Sequence, residues 1–199
     1  VLALPLECHC PEPVARASLH ALVQRHASLR TIYVQMDDMF EQTILPENGC
    51  HVPLECHSSP SNSLDLDAVK RPFDLFAVAP LRALLIHDPR SSSILHVVVH
   101  HVACDIVSLG IMQSELRALC TALLARSSPP SFPYLPLQYA DFALWQRTKY
   151  ANDLASGALT ANIAWWRATL TDAPQQLNLP WMSASSAASG DVGAIPIRI

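Results

Sequence analysis

An α/β fold with a mixed sheet is predicted for this chain, and three observations predict it. Runs rich in β-branched residues alternate with stretches whose apolar residues recur at helical spacing. One run, Ile94-Leu95-His96-Val97-Val98-Val99, is almost wholly apolar, the pattern of a strand covered on both sheet faces. A composition of 50% apolar and 15% charged residues in 199 supplies a core for one ordinary domain, or for half of a larger one.

The elements follow in order. Pro11 and Pro13 precede a helix over 14–26, with Leu19, Leu22, Val23 and His26 on one face, and proline suits a first helical turn. Residues 29–34 are β-branched and aromatic and read as a strand. A connection rich in Pro, Ser and Cys covers about 50–63. Two strands, 81–87 and 93–101, are joined by Asp88-Pro89-Arg90-Ser91-Ser92, which is turn chemistry. A helix over 107–126 carries Leu109, Met112, Leu116, Leu119 and Leu123 at helical spacing and stops at the Pro129-Pro130 segment. Two further helices, 137–154 and 158–170, hold Tyr139, Phe142, Trp145, Trp165 and Trp166, aromatics expected to pack. The expected organisation is a unit over 1–180, a Ser/Ala/Gly linker over 181–193 and the start of a further strand over 194–199.

Thirteen basic against 17 acidic residues give no electrostatic footprint for nucleic acid or an anionic membrane. No apolar run approaches the ~18 residues of a membrane span. The first residues lack both Met and a basic region, so they read as the interior of something longer, soluble and cytoplasmic, rather than as a signal peptide. The cysteines at 8, 10, 50, 56, 104 and 120 read as free thiols, buried or half-buried on loops and strand ends. Zinc could take Cys8, Cys10, Cys50 and Cys56, but their spacing fits no usual zinc knuckle, and no metal is expected.

The chemistry concentrates in Val99-His100-His101-Val102-Ala103-Cys104-Asp105-Ile106, where a buried strand ends and a helix begins. Such junctions hold reactive groups on a rigid scaffold. Adjacent strand residues point to opposite faces, so only one of the two histidines can face a given crevice. Asp105 can fix the loop by pairing with an arginine or by capping the following helix. The set offers a histidine able to move protons near neutral pH.

Five blocks in register resemble the condensation domains of nonribosomal peptide synthetases. Arg25-His26-Ala27-Ser28-Leu29-Arg30-Thr31 is similar to RHxxLRTxF. Arg71-Pro72-Phe73-Asp74-Leu75 with Pro80-Leu81-Arg82 is similar to PFDLxxxPLxR. His100, His101 and Asp105 match HHxxxDG, and 137–146 is similar to YxDYAVWQ. The stretch 166–180 continues the match. The resemblance implies a chloramphenicol acetyltransferase-like lobe, one half of a two-lobed domain with a channel between the lobes. Its partners would be upstream and downstream peptidyl carrier domains, an adenylation domain and a C-terminal lobe. The chain would bind no cofactor of its own, because the carriers deliver the phosphopantetheine arms.

On the same resemblance, His101 is the catalytic histidine, accepting a proton from an attacking amine or positioning it. His100 and Asp105 are structural, with Asp105 paired to Arg25 or Arg30. Ile106 departs from the motif's glycine, and a β-branched residue there is expected to narrow the channel or tilt the loop. The implied reaction joins two carrier-bound thioesters through a peptide bond. Alternatives are a non-catalytic docking module and an ester-forming or epimerising relative.

Overall fold

The computed structural model describes residues 1–37, 39–58, 71–87 and 92–174. Most of the 88–92 turn, the boundary at 180, the 181–193 linker and the 194–199 strand lie outside the described residues. The chain divides into two units, Val1–Arg147 and Thr148–Ile199.

In the first unit the order is β1 (Leu2–Leu6), α1 (Glu12–Arg25), a short 3-10 turn (Ala27–Arg30), β2 (Thr31–Met36) and β3 (Met39–Ile44). There follow β4 (Leu54–Ser58), β5 (Leu81–His87), β6 (Ser93–Val99), α2 (Ile106–Leu124) and the start of α3 (Tyr139–Ala155). Four strands form one sheet in the order β1-β6-β5-β4. Its β1–β6 and β6–β5 pairs are antiparallel and β4–β5 is parallel, so the sheet is mixed as expected. β2 and β3 form a separate antiparallel pair.

Alternation builds the core. Leu4, Leu95 and Leu85 stand abreast across three strands, and Leu2, Val97 and Ala83 form the neighbouring row. All six are buried, and they pack with Leu19, Leu22 and Val23 of α1 and Met112 and Leu116 of α2. Each fully buried leucine of this set contributes about 2 kcal/mol. The other face of β5 and β6 buries Leu84 and Val98 with Phe73 against them, which accounts for the unbroken apolar run of β6. His96 shares that face and is 6% exposed.

The structure adds three strands to those the sequence suggested. β1 alternates Leu2, Leu4 and Leu6 inward, and its Pro5 is tolerated because the strand lies at the sheet edge. β4 lies inside the segment read as a connection, at the opposite edge. β3 is exposed along its whole length, so no inward alternation marks it. By length and composition α2 could cross a membrane, but Met112, Leu116, Leu119 and Cys120 on it are buried in the protein core.

The expectation that the late aromatics pack inside does not hold. No residue of α3 or of α4 (Thr160–Leu170) is buried. Trp145, Trp165 and Trp166 are each more than half exposed. Within the second unit, Trp165 and Trp166 meet edge to face at 4.7 Å, and Gly157, at φ 76°, follows the end of α3. An aromatic stripe on a helix buries its area only where another layer covers it, and among the described residues none does.

Candidate functional site

β6 ends at Val99 and α2 begins at Ile106, and the six residues between them carry the candidate site. The loop is braced from below: the His100 N–H donates to the Pro80 carbonyl, and the Ala103 N–H to the His100 carbonyl. The expected strand over 93–101 stops at Val99, so the two histidines lie in the loop, and there they have different surroundings. His100 is half-buried, its Nδ1 accepts the Val102 N–H at 3.1 Å, and Phe73 meets its ring edge to face at 5.9 Å. Arg82 in turn lies over the Phe73 ring, 4.1 Å from its centre. His101 is exposed and lines a cavity of about 250 Å³ with Ser28, Cys104, Asp105, Ser108 and Tyr139.

Asp105 is the N-cap of α2. Its Oδ1 accepts the Ser108 N–H at 2.8 Å and the Ser108 hydroxyl at 2.6 Å. The Ser108 hydroxyl, then its N–H, hold the Asp105 carboxyl below the usual aspartate value, and His101 adds a smaller pull in the same direction. The expected pairing of Asp105 with Arg25 or Arg30 is therefore corrected: Asp105 caps the helix, and both arginines are engaged elsewhere. Arg25 Nε donates to Glu115 Oε1 at 2.9 Å, and its guanidinium lies 5.3 Å from the Phe132 ring centre. Arg30 donates to the Leu45 carbonyl and lies 3.7 Å from Glu47. Both arginines line a separate groove that neither His101 nor Asp105 reaches.

Ile106 takes the first helical position of α2 and is 80% exposed. Positive φ among described non-glycine residues is confined to Asp37, Arg126 and Asp172, so the backbone at 106 accepts a β-branched side chain without strain. The positive φ that a glycine would serve is thus not what this backbone adopts at 106.

Three residues hold the surroundings together in roles that the sequence did not assign to them. Glu115, 8% exposed on α2, takes both Arg25 and His26, the latter through Nε2 at 2.6 Å. A carboxylate beside an apolar helical stripe was its signal, since a buried charge needs partners. Gln138 clasps the end of α1: its Oε1 accepts the Ala27 N–H at 3.0 Å and its Nε2 donates to the Arg25 carbonyl at 3.1 Å. Phe73 is the third, wedged between Arg82 and His100.

Cys10, Cys50 and Cys120 are buried, while Cys8 and Cys56 are exposed, against the expectation of covered thiols. Among the described residues no group of three or more His, Cys, Asp or Glu is placed to hold a metal ion.

The chain matches the condensation-domain family over residues 8–193. It belongs to that family. It is 34% identical over 184 residues to a dimodular nonribosomal peptide synthase of Bacillus subtilis, a match covering 90% of this chain and 8% of that protein. It resembles the X-domain from teicoplanin biosynthesis, solved alone and in complex with OxyB. Against the former it has TM-score 0.79 and 27% identity, over 94% of this chain and 41% of that one. The epimerization domain from the third module of tyrocidine synthetase B shares the fold, with TM-score 0.71 at 21% identity, over 92% of this chain and 42% of that one. The condensation-domain segment therefore spans less than half of each solved neighbour and a small part of the synthase. Its fold is that of the chloramphenicol acetyltransferase-like lobe, and the family is acyltransferase-like in kind.

Proposed function

We propose that this condensation-domain segment carries the proton-transferring half of a site that joins an upstream acyl thioester to a downstream aminoacyl thioester, both on carrier proteins, in the cytoplasm. The observation that supports it is the division of labour at the end of β6. His101 alone of the two motif histidines opens onto a cavity, while His100 and Asp105 fix the loop and the helix start.

In this reading the amine nitrogen attacks the thioester carbon, a C–N bond forms and the C–S bond breaks. The departing sulfur stays on the upstream carrier's phosphopantetheine arm. His101 takes the amine proton, which ends on the released thiol. A thioester is already activated, so proximity and proton management supply most of what the step needs. No other cofactor enters, and a second lobe completes the channel.

The test uses the intact polypeptide with both carrier domains loaded. His101→Ala is expected to lower amide formation about 100-fold or more. Undiminished product would overturn the reading. A non-catalytic docking role has one observation in its favour, the likeness to an X-domain solved with a bound OxyB. Docking would survive His101→Ala, whereas condensation would not.

A further inference from the structure

A second, smaller cavity of about 90 Å³ adjoins the one that His101 lines, and the two share Ser28, Ala103, Cys104 and Ser108 as walls. The remainder of its wall is Leu29 of the 3-10 turn, Ile111 and Met112 of α2, and His26. We infer that this side cavity is a specificity pocket for a short branched aliphatic group, of about three or four carbons, on the substrate that reacts at His101. The inference rests on the condensation reading above and adds to it the class of side chain accepted.

Three features argue for that occupant. Of the four polar side chains on the wall, His26 and Ser108 are engaged within the protein. The His26 Nε2 is taken by Glu115, and the Ser108 hydroxyl donates to Asp105. Burial keeps the Cys104 thiol above its ordinary value, so it stays neutral. Somewhat more than half of the lining is apolar, supplied by Leu29, Ala103, Ile111 and Met112, and that favours an apolar group over a charged one. Size sets the upper bound. An aliphatic cavity of about 150 Å³ takes benzene, and this one is smaller, so it admits a branched alkyl group and rejects an aromatic ring. Position completes the case, because Met112 is fixed in the core at 3% exposed while Ile111, half exposed, stands at the rim. The pocket has a rigid floor and an accessible mouth.

The group can arrive on the acyl donor or on the amine acceptor, and the experiment separates them. In the intact polypeptide, donor carriers bearing alanyl, valyl, leucyl or phenylalanyl residues are competed against one fixed acceptor, and then the acceptors against one fixed donor. One arm is expected to favour valyl or leucyl over alanyl and phenylalanyl by about tenfold or more, one methylene being worth that much in an apolar pocket. Ile111→Ala, a change at a half-exposed helical position, should shift that arm's ratio toward phenylalanyl while leaving the other arm's ratio alone. Ratios that are flat on both arms, or untouched by Ile111→Ala, would overturn the pocket.

A measurement independent of turnover keeps the two readings apart. The isovaleryl thioether analogue should protect the intact polypeptide from thermal unfolding at about tenfold lower concentration than the phenylacetyl analogue. Protection by isovaleryl without any amide formation would sink the condensation reading and keep the pocket. Amide formation without selective protection would do the reverse.

Discussion

Phe73 and His100 meet edge to face, ring centres 5.9 Å apart and planes at 88°, so a residue of the PFDL block holds the first histidine of the HHxxxD block. Arg82 closes the stack from the other side of Phe73 and donates to the carbonyls of Arg71 and Pro72. Two blocks 27 residues apart in sequence thus act as one brace under the candidate site.

That brace has a measurable strength. Phe73→Ala removes an aromatic pair and a cation–π contact together and is expected to cost about 2 kcal/mol of folding stability. Phe73→Tyr keeps the ring and most of both contacts. Chemical denaturation of the two variants against the parent checks the order; equal loss in both would mean that the ring contacts contribute little.

Glu115 is the buried charge on which α1 and α2 meet. Glu115→Ala leaves Arg25 and His26 without their partner in a poorly solvated place and should destabilise by about 3 kcal/mol. Glu115→Gln, which can still accept from Arg25, should lose less. Urea midpoints give the comparison, and a negligible effect of Glu115→Ala would show that water replaces the carboxylate.

The Asp105 cap predicts an acid-sensitive helix start. Its carboxyl is held below the ordinary 3.8 by Ser108, so the contribution is complete above that value and is lost as pH falls through the lower folded-state value. Asp105→Ala should lower the thermal midpoint at neutral pH, while Asp105→Ser, another good cap, should recover most of it. Thermal unfolding followed by circular dichroism separates the two variants.

His96 carries the opposite kind of group. It is buried on β6 with both ring nitrogens unpartnered, and burial lowers its pKa from 6.5. The unfolded chain then binds the extra proton more readily, so stability is full above about 6.5 and declines as pH falls below it. His96→Leu should gain about 1 kcal/mol near neutrality by removing an unsatisfied polar group, and should flatten the decline. Denaturant titrations near pH 7.5 and pH 5.5 of parent and variant measure the difference in slope.

Much of this fold was legible because the signals were periodic. Leu19, Leu22 and Val23, and Met112, Leu116 and Leu119, announce α1 and α2 by spacing alone, and both triplets are buried. The β6 run and the following histidine pair located the site. What stayed hidden were relationships between distant residues. Nothing near Asp105 says whether it meets an arginine or its own helix, because Ser108 supports the second choice only once the loop geometry is set. Glu115 sits beside an apolar stripe, and its partners Arg25 and His26, at the end of α1, lie 90 and 89 residues earlier. The exposure of Trp145 and Trp165 was hidden for another reason: a helical aromatic stripe signals that something covers it, not what does.

The clasp of Gln138 has a consequence for the order of assembly. The backbone groups it holds lie at the break between α1 and the 3-10 turn, 111 and 113 residues earlier in the chain. A chain emerging amino end first can form α1 early, since its hydrogen bonds are local. The bend that orients His26 and the Ser28 wall of the His101 cavity gains its clasp only after Gln138 has been made. Distant closures of this kind slow folding, and this one ties the bend beside the cavity to a residue more than a hundred positions later.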